Sequence, residues 1–293
     1  MLEIRHLVRK FGDLVAVDDV SFTVRPGVVT GFVGGNGAGK TTAMRMILGV
    51  LAPTSGEVLW NGEPITREVR ASFGYMPEER GLFPKQSVLT QLVFLGELHG
   101  MSSGDARAAA IALLERFGLH PRAKDKLESL SLGNQQRVQI AAAVLADPIG
   151  LVLDEPFSGL DPKAVDEMFA ILSEYVARDV PVLFSSHQLD LVEHLADHVV
   201  VLSSGRVIAD GSVEDLVASA ISRHHLCTDT DLGWLRDLSQ VTEADVHGTE
   251  ASFVLAYPGA GQDVLAEALR RGRVRSFGPV VPTLSEVYRG VTA

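Results

Sequence analysis

The chain has 293 residues, enough for one large domain and a smaller companion. Apolar residues make up 46% and charged residues 22%, which supports a packed core under a water-facing surface and excludes a disordered chain. The net charge of −11 opposes general attraction to nucleic-acid phosphates or anionic lipid, and a single cysteine, Cys227, excludes an intrachain disulfide.

In chain order, LEIRHLV (2–8), VSFTV (20–24), VVTGFVG (28–34) and GEVLWNG (56–62) are short β-branched runs expected to be strands. A helix is expected from Lys40 to Leu48. Residues 86–146 lack strand signal and read as helices in three pieces: SVLTQLVFLGELHG, SGDARAAAIALLERFG and NQQRVQIAAAVLAD. In the second piece Ser103 is the expected N-cap and Gly118 the stop. Alternation resumes with IGLVLDE (149–155), a helix over 162–178, VPVLFSS (180–186), a helix near 188–196 and HVVVLSSGRVIADG (198–211). Continuous apolar strands between helices imply an α/β fold with a mostly parallel sheet covered on both faces, beside a helical subdomain at about 86–146.

After Gly211 the pattern changes. A linker helix, SVEDLVAS, precedes a strand (ISRHHLCT), a helix (DLGWLRDL), two strands (SQVTEADVHG, EASFVLAY), a helix (GQDVLAEALRR) and a strand (RVRSFGPV). That β-α-β-β-α-β order matches a ferredoxin-like α+β domain, closed by a short helix, PTLSEVYRGV. The expected division is residues 1–213 and 214–293. The opening Met1-Leu2-Glu3-Ile4-Arg5 turns polar at once, so no leader peptide is expected, and no apolar run approaches the ~18 residues of a membrane helix.

Gly34-x-x-x-x-Gly39-Lys40-Thr41 has the spacing of a phosphate-binding loop, between an expected strand and an expected helix. Glycines at Gly34, Gly37 and Gly39 let backbone amides, with Asn36 among them, converge on phosphate oxygens beside a helix N-terminus. Lys40 is suited to neutralise β- and γ-phosphate charge, and the hydroxyl of Thr41, followed by Thr42, to ligate Mg²⁺. The acidic partner such a loop needs stands at the end of LVLDE: Asp154 for Mg²⁺, and Glu155 to polarise a water. The pairing implies nucleotide hydrolysis or phosphoryl transfer.

Leu130-Ser131-Leu132-Gly133-Asn134-Gln135-Gln136-Arg137 closes the helical block, and there the chain resembles the ATP-binding subunits of ABC transporters, whose signature is LSGGQ. Ser158-Gly159-Leu160-Asp161 resembles the family's D-loop, Ser186-His187 its switch histidine, and Phe11 stands where the family stacks an aromatic on adenine. The resemblance covers about residues 1–215, with its motifs in the family's order. It implies a P-loop ATPase using ATP and Mg²⁺, with Ser131, Gly133, Asn134 and Asp161 facing the nucleotide of a second, head-to-tail subunit. His187 would contact the γ-phosphate and Glu155 would position the water. It also implies partners of two kinds, a second copy forming a homodimer and a separately encoded transmembrane permease, on the cytoplasmic face of the membrane, and no nucleic acid.

Three departures from the family pattern stand out. Gly35 replaces a common proline; Leu132 and Asn134 replace Gly and Gln of the signature. The third falls in GYMPEERGLFPK, where Glu78 holds the place of a glutamine that contacts Mg²⁺ and water. This segment resembles exporter ATPases of the sodium- or drug-extrusion type, and a carboxylate remains a hard oxygen ligand. Leu82 and Phe83 fall where the family docks a coupling helix, and the sequence leaves them either exposed apolar residues of that surface or internal core. In the C-terminal domain His224, His225 and Cys227 lack zinc spacing, Arg270, Arg271, Arg273 and Arg275 suit a helix end, and dimerisation or regulation is the expected role. The leading expectation is export powered through a membrane subunit; the alternative is a soluble ABC ATPase acting on nucleic acid or ribosomes.

Overall fold

Two long strands, β1 (Leu2–Phe11) and β2 (Leu14–Val24), pair as an antiparallel hairpin that buries Leu2, Ile4, Val20, Phe22 and Val24. Both extend beyond the runs expected from sequence, because left-handed residues at His6 and Asp19 interrupt the alternation without ending the pairing. The computed structural model describes residues 1–79, 81–219, 223–280 and 282–292. They form two compact units, Met1–Val213 and Glu214–Val291.

In the first unit, β3 (Val29–Val33) is buried throughout and runs through a glycine loop into α1 (Lys40–Ile47). Next come β4 (Ser55–Trp60), β5 (Glu63–Pro64), the short α2 (Arg67–Ala71) and β6 (Phe73–Met76). The helical block is α3 (Val88–Leu98), α4 (Ser103–Arg116) and α5 (Leu132–Val144). Then follow β7 (Gly150–Leu153), α6 (Pro162–Val176), β8 (Val182–Ser186), α7 (Leu189–Leu195), β9 (His198–Ser203) and β10 (Arg206–Ser212).

Two sheets result. The outer one is antiparallel, in the order β2-β1-β4-β5; the central one runs β10-β9-β3-β8-β7-β6, parallel except for its edge strand β10. Helix α1 and the outer sheet pack on one face of the central sheet, where Phe22 and Phe32 stack with ring centroids 5.1 Å apart. The N-cap of α4 is Ser102, whose Oγ accepts from the Asp105 amide at 3.1 Å, so the cap lies one residue before the expected Ser103. Gly118 follows the helix with φ +67°, the left-handed stop expected of it. Of the two residues the sequence left open, Leu82 is buried, whereas Phe83 is 48% exposed and meets Phe94 edge-on.

The second unit opens on α8 (Val213–Ser219) and continues with β11 (Arg223–Thr228), β12 (Val241–His247), β13 (Glu250–Leu255), α9 (Ala260–Arg271), β14 (Val274–Val280) and α10 (Leu284–Thr292). Its sheet is antiparallel in the order β12-β13-β11-β14, so the strands of the first β-x-β connection, β11 and β12, flank β13, as a split ferredoxin-like arrangement requires. The expected helix DLGWLRDL is instead a 3₁₀ turn, Gly233–Asp237, with the Gly233 amide held by Asp231 Oδ1 at 2.8 Å. Leu226, Phe253, Val264 and Ala268 form the core beneath α9. Residues 221–222 of the expected strand ISRHHLCT, and Arg80, lie outside the described residues.

Candidate functional site

Chain order around β3 creates a crevice. The next strand of the central sheet, β6, lies at its far edge; β7 and β8 then fill the gap, and β9 takes the other side of β3. Where strand order reverses like this, the space beyond the strands' C-terminal ends is open to a ligand. The loop from Gly34 to Gly39 stands there. Gly37 and Gly39 have φ of +78° and +106°, which a side chain tolerates poorly. A Cβ at Gly34 would lie 2.4 Å from the Leu202 carbonyl oxygen, and one at Gly39 2.5 Å from that of Ala16. Helix α1 starts with no side-chain cap, leaving its first amides for an anion.

The resulting cleft, about 250 Å³, is lined by Ala16, Asn36, Gly37, Gly39, Lys40, Thr41, Thr42, Glu78, Asp154 and Glu155. Lys40 is buried and its Nζ donates to the Gly34 carbonyl at 2.7 Å, with Glu155 Oε1 4.0 Å away. An ammonium held over the loop's own carbonyls is a movable charge: a phosphate can replace those neutral acceptors with a stronger one. Thr41 Oγ1 donates to Glu78 Oε2 at 3.5 Å, a long contact across the cleft.

Two acids at the end of β7 form the opposite wall. Parallel pairing sets Leu153 beside Phe184, and the next residues on the two strands meet through Ser185, which is fully buried. Ser185 Oγ donates to Asp154 Oδ1 at 2.5 Å and accepts from the Glu155 amide at 2.9 Å. Asp154 is also fully buried, and its Oδ2 has no protein partner. Glu155 has a left-handed backbone, φ +52°, at a non-glycine position, which turns its side chain back over the cleft. His187 Nδ1 donates to Glu155 Oε1 at 2.9 Å. Burial, and next the charge of Asp154, hold the Tyr75 phenol behind this wall above its usual pKa.

The other residues singled out from sequence lie outside the cleft. Gly34 packs beneath the loop. Phe11, 45% exposed, ends the hairpin whose β2 contributes Ala16 to the wall, and the Arg9 guanidinium lies 4.5 Å from its ring centroid. Ser131 caps α5, its Oγ accepting from the Asn134 amide at 3.4 Å, in a first turn where Ser131 is exposed and Gly133 and Asn134 are half-buried. Asp161 Oδ1 caps α6 by accepting from the Ala164 amide at 2.8 Å. These two turns touch. A Cβ at Gly159 would lie 2.7 Å from Leu132 Cδ2, and Gln136 Nε2 donates to the Ser158 carbonyl at 3.4 Å. Leu132, one of the three departures, therefore covers a position that has no side chain.

Sequence reasoning did not single out Ser185, Ala16 or Arg9 for the site. Ser185 carried one usable signal: a hydroxyl inside an otherwise apolar strand beside the acidic one.

A family model described as ABC transporter matches residues 17–158, and one described as ATP-binding protein DrrA1-3-like, C-terminal domain, matches residues 211–292. YhaQ of Bacillus subtilis strain 168, an ABC transporter ATP-binding protein, is 36% identical over 98% of this chain and 97% of its own length. The Nod factor export ATP-binding protein I of Paraburkholderia xenovorans strain LB400 is 37% identical over 75% of this chain and 73% of its own. A solved ATP-binding subunit of an ABC transporter superposes with a TM-score of 0.68 at 31% identity, covering 74% of this chain and 92% of that one. With its phosphate loop, paired acids and signature turn all within the matched length, the chain belongs to the ATP-binding proteins of ABC transporters, enzymes that bind and hydrolyse ATP as a transporter's energy-supplying subunit.

Proposed function

We propose that the chain powers export through a separately encoded membrane permease, working as a head-to-tail pair of ATPase subunits on the cytoplasmic face of the membrane and using Mg²⁺. The observation that carries the paired arrangement is the separation just described. The phosphate cleft lacks Ser131, Gly133 and Asn134, while Ser131 stands exposed at a helix N-terminus whose Gly133 and Asn134 are half-buried. A second copy brings that turn to the γ-phosphate.

Within one subunit, Lys40 moves from the Gly34 carbonyl to the phosphates, and the Gly37–Thr42 amides hold their oxygens. Glu155 accepts a proton from the attacking water, oriented by His187. The donor set suits Mg²⁺: Thr41 Oγ1, the unpaired buried Asp154 Oδ2 and Glu78 are hard oxygens on one cleft, and phosphate oxygens complete such a site. Among the described residues no three His, Cys, Asp or Glu side chains form a cage, consistent with an ion shared with substrate. Bound there, Mg²⁺ neutralises charge between the β- and γ-phosphates.

Among the described residues no helix is long and apolar enough to cross a membrane, so the permease is assigned to another chain. A cleft of about 380 Å³ supports its docking; Tyr75, Leu82, Leu95, His99 and Gln139 line it, beside the segment that carries Glu78. Export is the role in the name of the Nod factor export relative, and supports that direction here. Isolation of the tagged chain from detergent-solubilised membranes tests the proposal. The expected result is co-isolation of a polytopic membrane protein with Mg²⁺-dependent ATPase activity. Recovery with ribosomes or DNA and no membrane protein contradicts it.

A further inference from the structure

Ser185 is a buried polar side chain against both acids of the site that the proposed mechanism does not use. It sits in the interior of β8, fully buried, where an apolar residue would pack without cost and where a hydroxyl must find partners. It finds two, and they belong to the two acids of the site. Its one proton goes to Asp154 Oδ1 and a lone pair takes the Glu155 amide. Its neighbour Ser186 makes a different contact, its Oγ accepting from the Gln188 amide at 3.0 Å in the turn that carries His187.

We propose that Ser185 is a positioning residue for ATP hydrolysis: one hydroxyl sets the rotation of the Asp154 carboxylate and the backbone placement of Glu155 together. With Oδ1 engaged by Ser185, Oδ2 is the oxygen left for the metal. With its amide held, Glu155 keeps the left-handed backbone that a non-glycine residue adopts only when its surroundings enforce it. Removing the hydroxyl orphans a buried amide, frees the carboxylate to rotate, and lets Glu155 relax away from His187 Nδ1. Neighbours that orient metal-binding carboxylates act in this indirect way, through their partners rather than through the substrate. The inference rests on reading Asp154 and Glu155 as the metal and water groups.

The test uses the full chain with Ser185→Ala, Ser185→Cys and Ser185→Thr. Cysteine nearly keeps the volume but donates weakly, whereas threonine keeps the hydroxyl. Three readouts are taken: kcat and KM for ATP, binding of a fluorescent ATP analogue in EDTA, and Mn²⁺ affinity in the presence of ADP by electron paramagnetic resonance. Alanine and cysteine are expected to lower kcat and to weaken Mn²⁺ binding by roughly 10- to 100-fold each. Metal-free nucleotide binding is expected to stay near wild type, and threonine to recover most of both losses. If alanine does not fold, cysteine and threonine decide the matter by the same readouts. Wild-type Mn²⁺ affinity and kcat in Ser185→Cys would overturn the role, as would equal losses in the cysteine and threonine variants. Absence of Mg²⁺-dependent turnover in the wild type overturns the underlying reading as well, which separates the two failures.

Discussion

The phosphate cleft and the signature turn handle their polar groups in opposite ways. In the cleft, Lys40, Asp154, Glu155 and Ser185 are buried and tied to one another or to nearby backbone. On the signature turn, the Ser131 side chain caps the helix through the Asn134 amide; Ser131 and Leu132 are exposed, and Gly133 and Asn134 are half-buried. A preformed set of buried groups can bind phosphate in a single subunit, because its geometry needs no outside help. An exposed helix N-terminus offers amides but no enclosure, and gains strength only when another surface excludes water from it. The contrast separates binding, expected in one chain, from hydrolysis, expected in two.

The largest effect should come from the cleft itself. Lys40→Ala removes the cation over the phosphates and should lower hydrolysis by about a thousandfold or more, with nucleotide affinity falling too in a fluorescent-ATP titration. Glu155→Gln should reduce turnover by about 10²- to 10⁴-fold while leaving affinity near wild type. Next, Ser131→Arg places bulk and charge on the exposed turn. Steady-state assays should give about a hundredfold slower hydrolysis with unchanged binding to the single subunit, the opposite signature from Lys40→Ala. A Ser131→Arg variant that loses binding in the isolated subunit would erase the distinction. Glu78→Gln should shift the Mg²⁺ concentration needed for half-maximal activity by about tenfold, read in a metal titration.

The smallest effects concern stability. Asp161→Ala deletes the α6 cap and should cost about 1 kcal/mol in denaturant unfolding. In the C-terminal unit, burial between Phe253 and Phe277 lowers the pKa of His224. Its unfolded form then binds protons more readily than the folded one. The stabilisation is present above the ordinary histidine value of about 6.5 and is lost as pH falls through the lower folded value. Unfolding followed against pH should show that loss, and His224→Phe should reduce it.

Legibility in the sequence followed the locality of the cause. Gly34, Gly39, Lys40 and Thr41 could be read because one loop and one helix start determine their arrangement. Asp154 and Glu155 could be read as the end of an apolar strand. Ser185 showed only as a hydroxyl in an apolar strand, because its contacts depend on the parallel register of β7 and β8 and its partner Asp154 lies 31 residues away in the chain. The short β6, four residues between α2 and a proline, carries too little alternation to be noticed and owes its place to β7. Two adjacent serines made the α4 cap ambiguous by one position. In DLGWLRDL the Asp231 side chain captured the Gly233 amide and favoured a tight turn over a helix. Whether Leu82 is core or surface could not be read, because the fold, not its neighbours in sequence, covers it.

Sedimentation velocity of Glu155→Gln, with and without ATP and Mg²⁺, tests the separation of binding from hydrolysis most directly. The account predicts a monomer without nucleotide and a dimer holding two ATP molecules with it, and predicts that adding Ser131→Arg returns the ATP-bound protein to monomers. A dimer that forms equally well with Ser131→Arg, or a protein that stays monomeric with ATP bound, would contradict it.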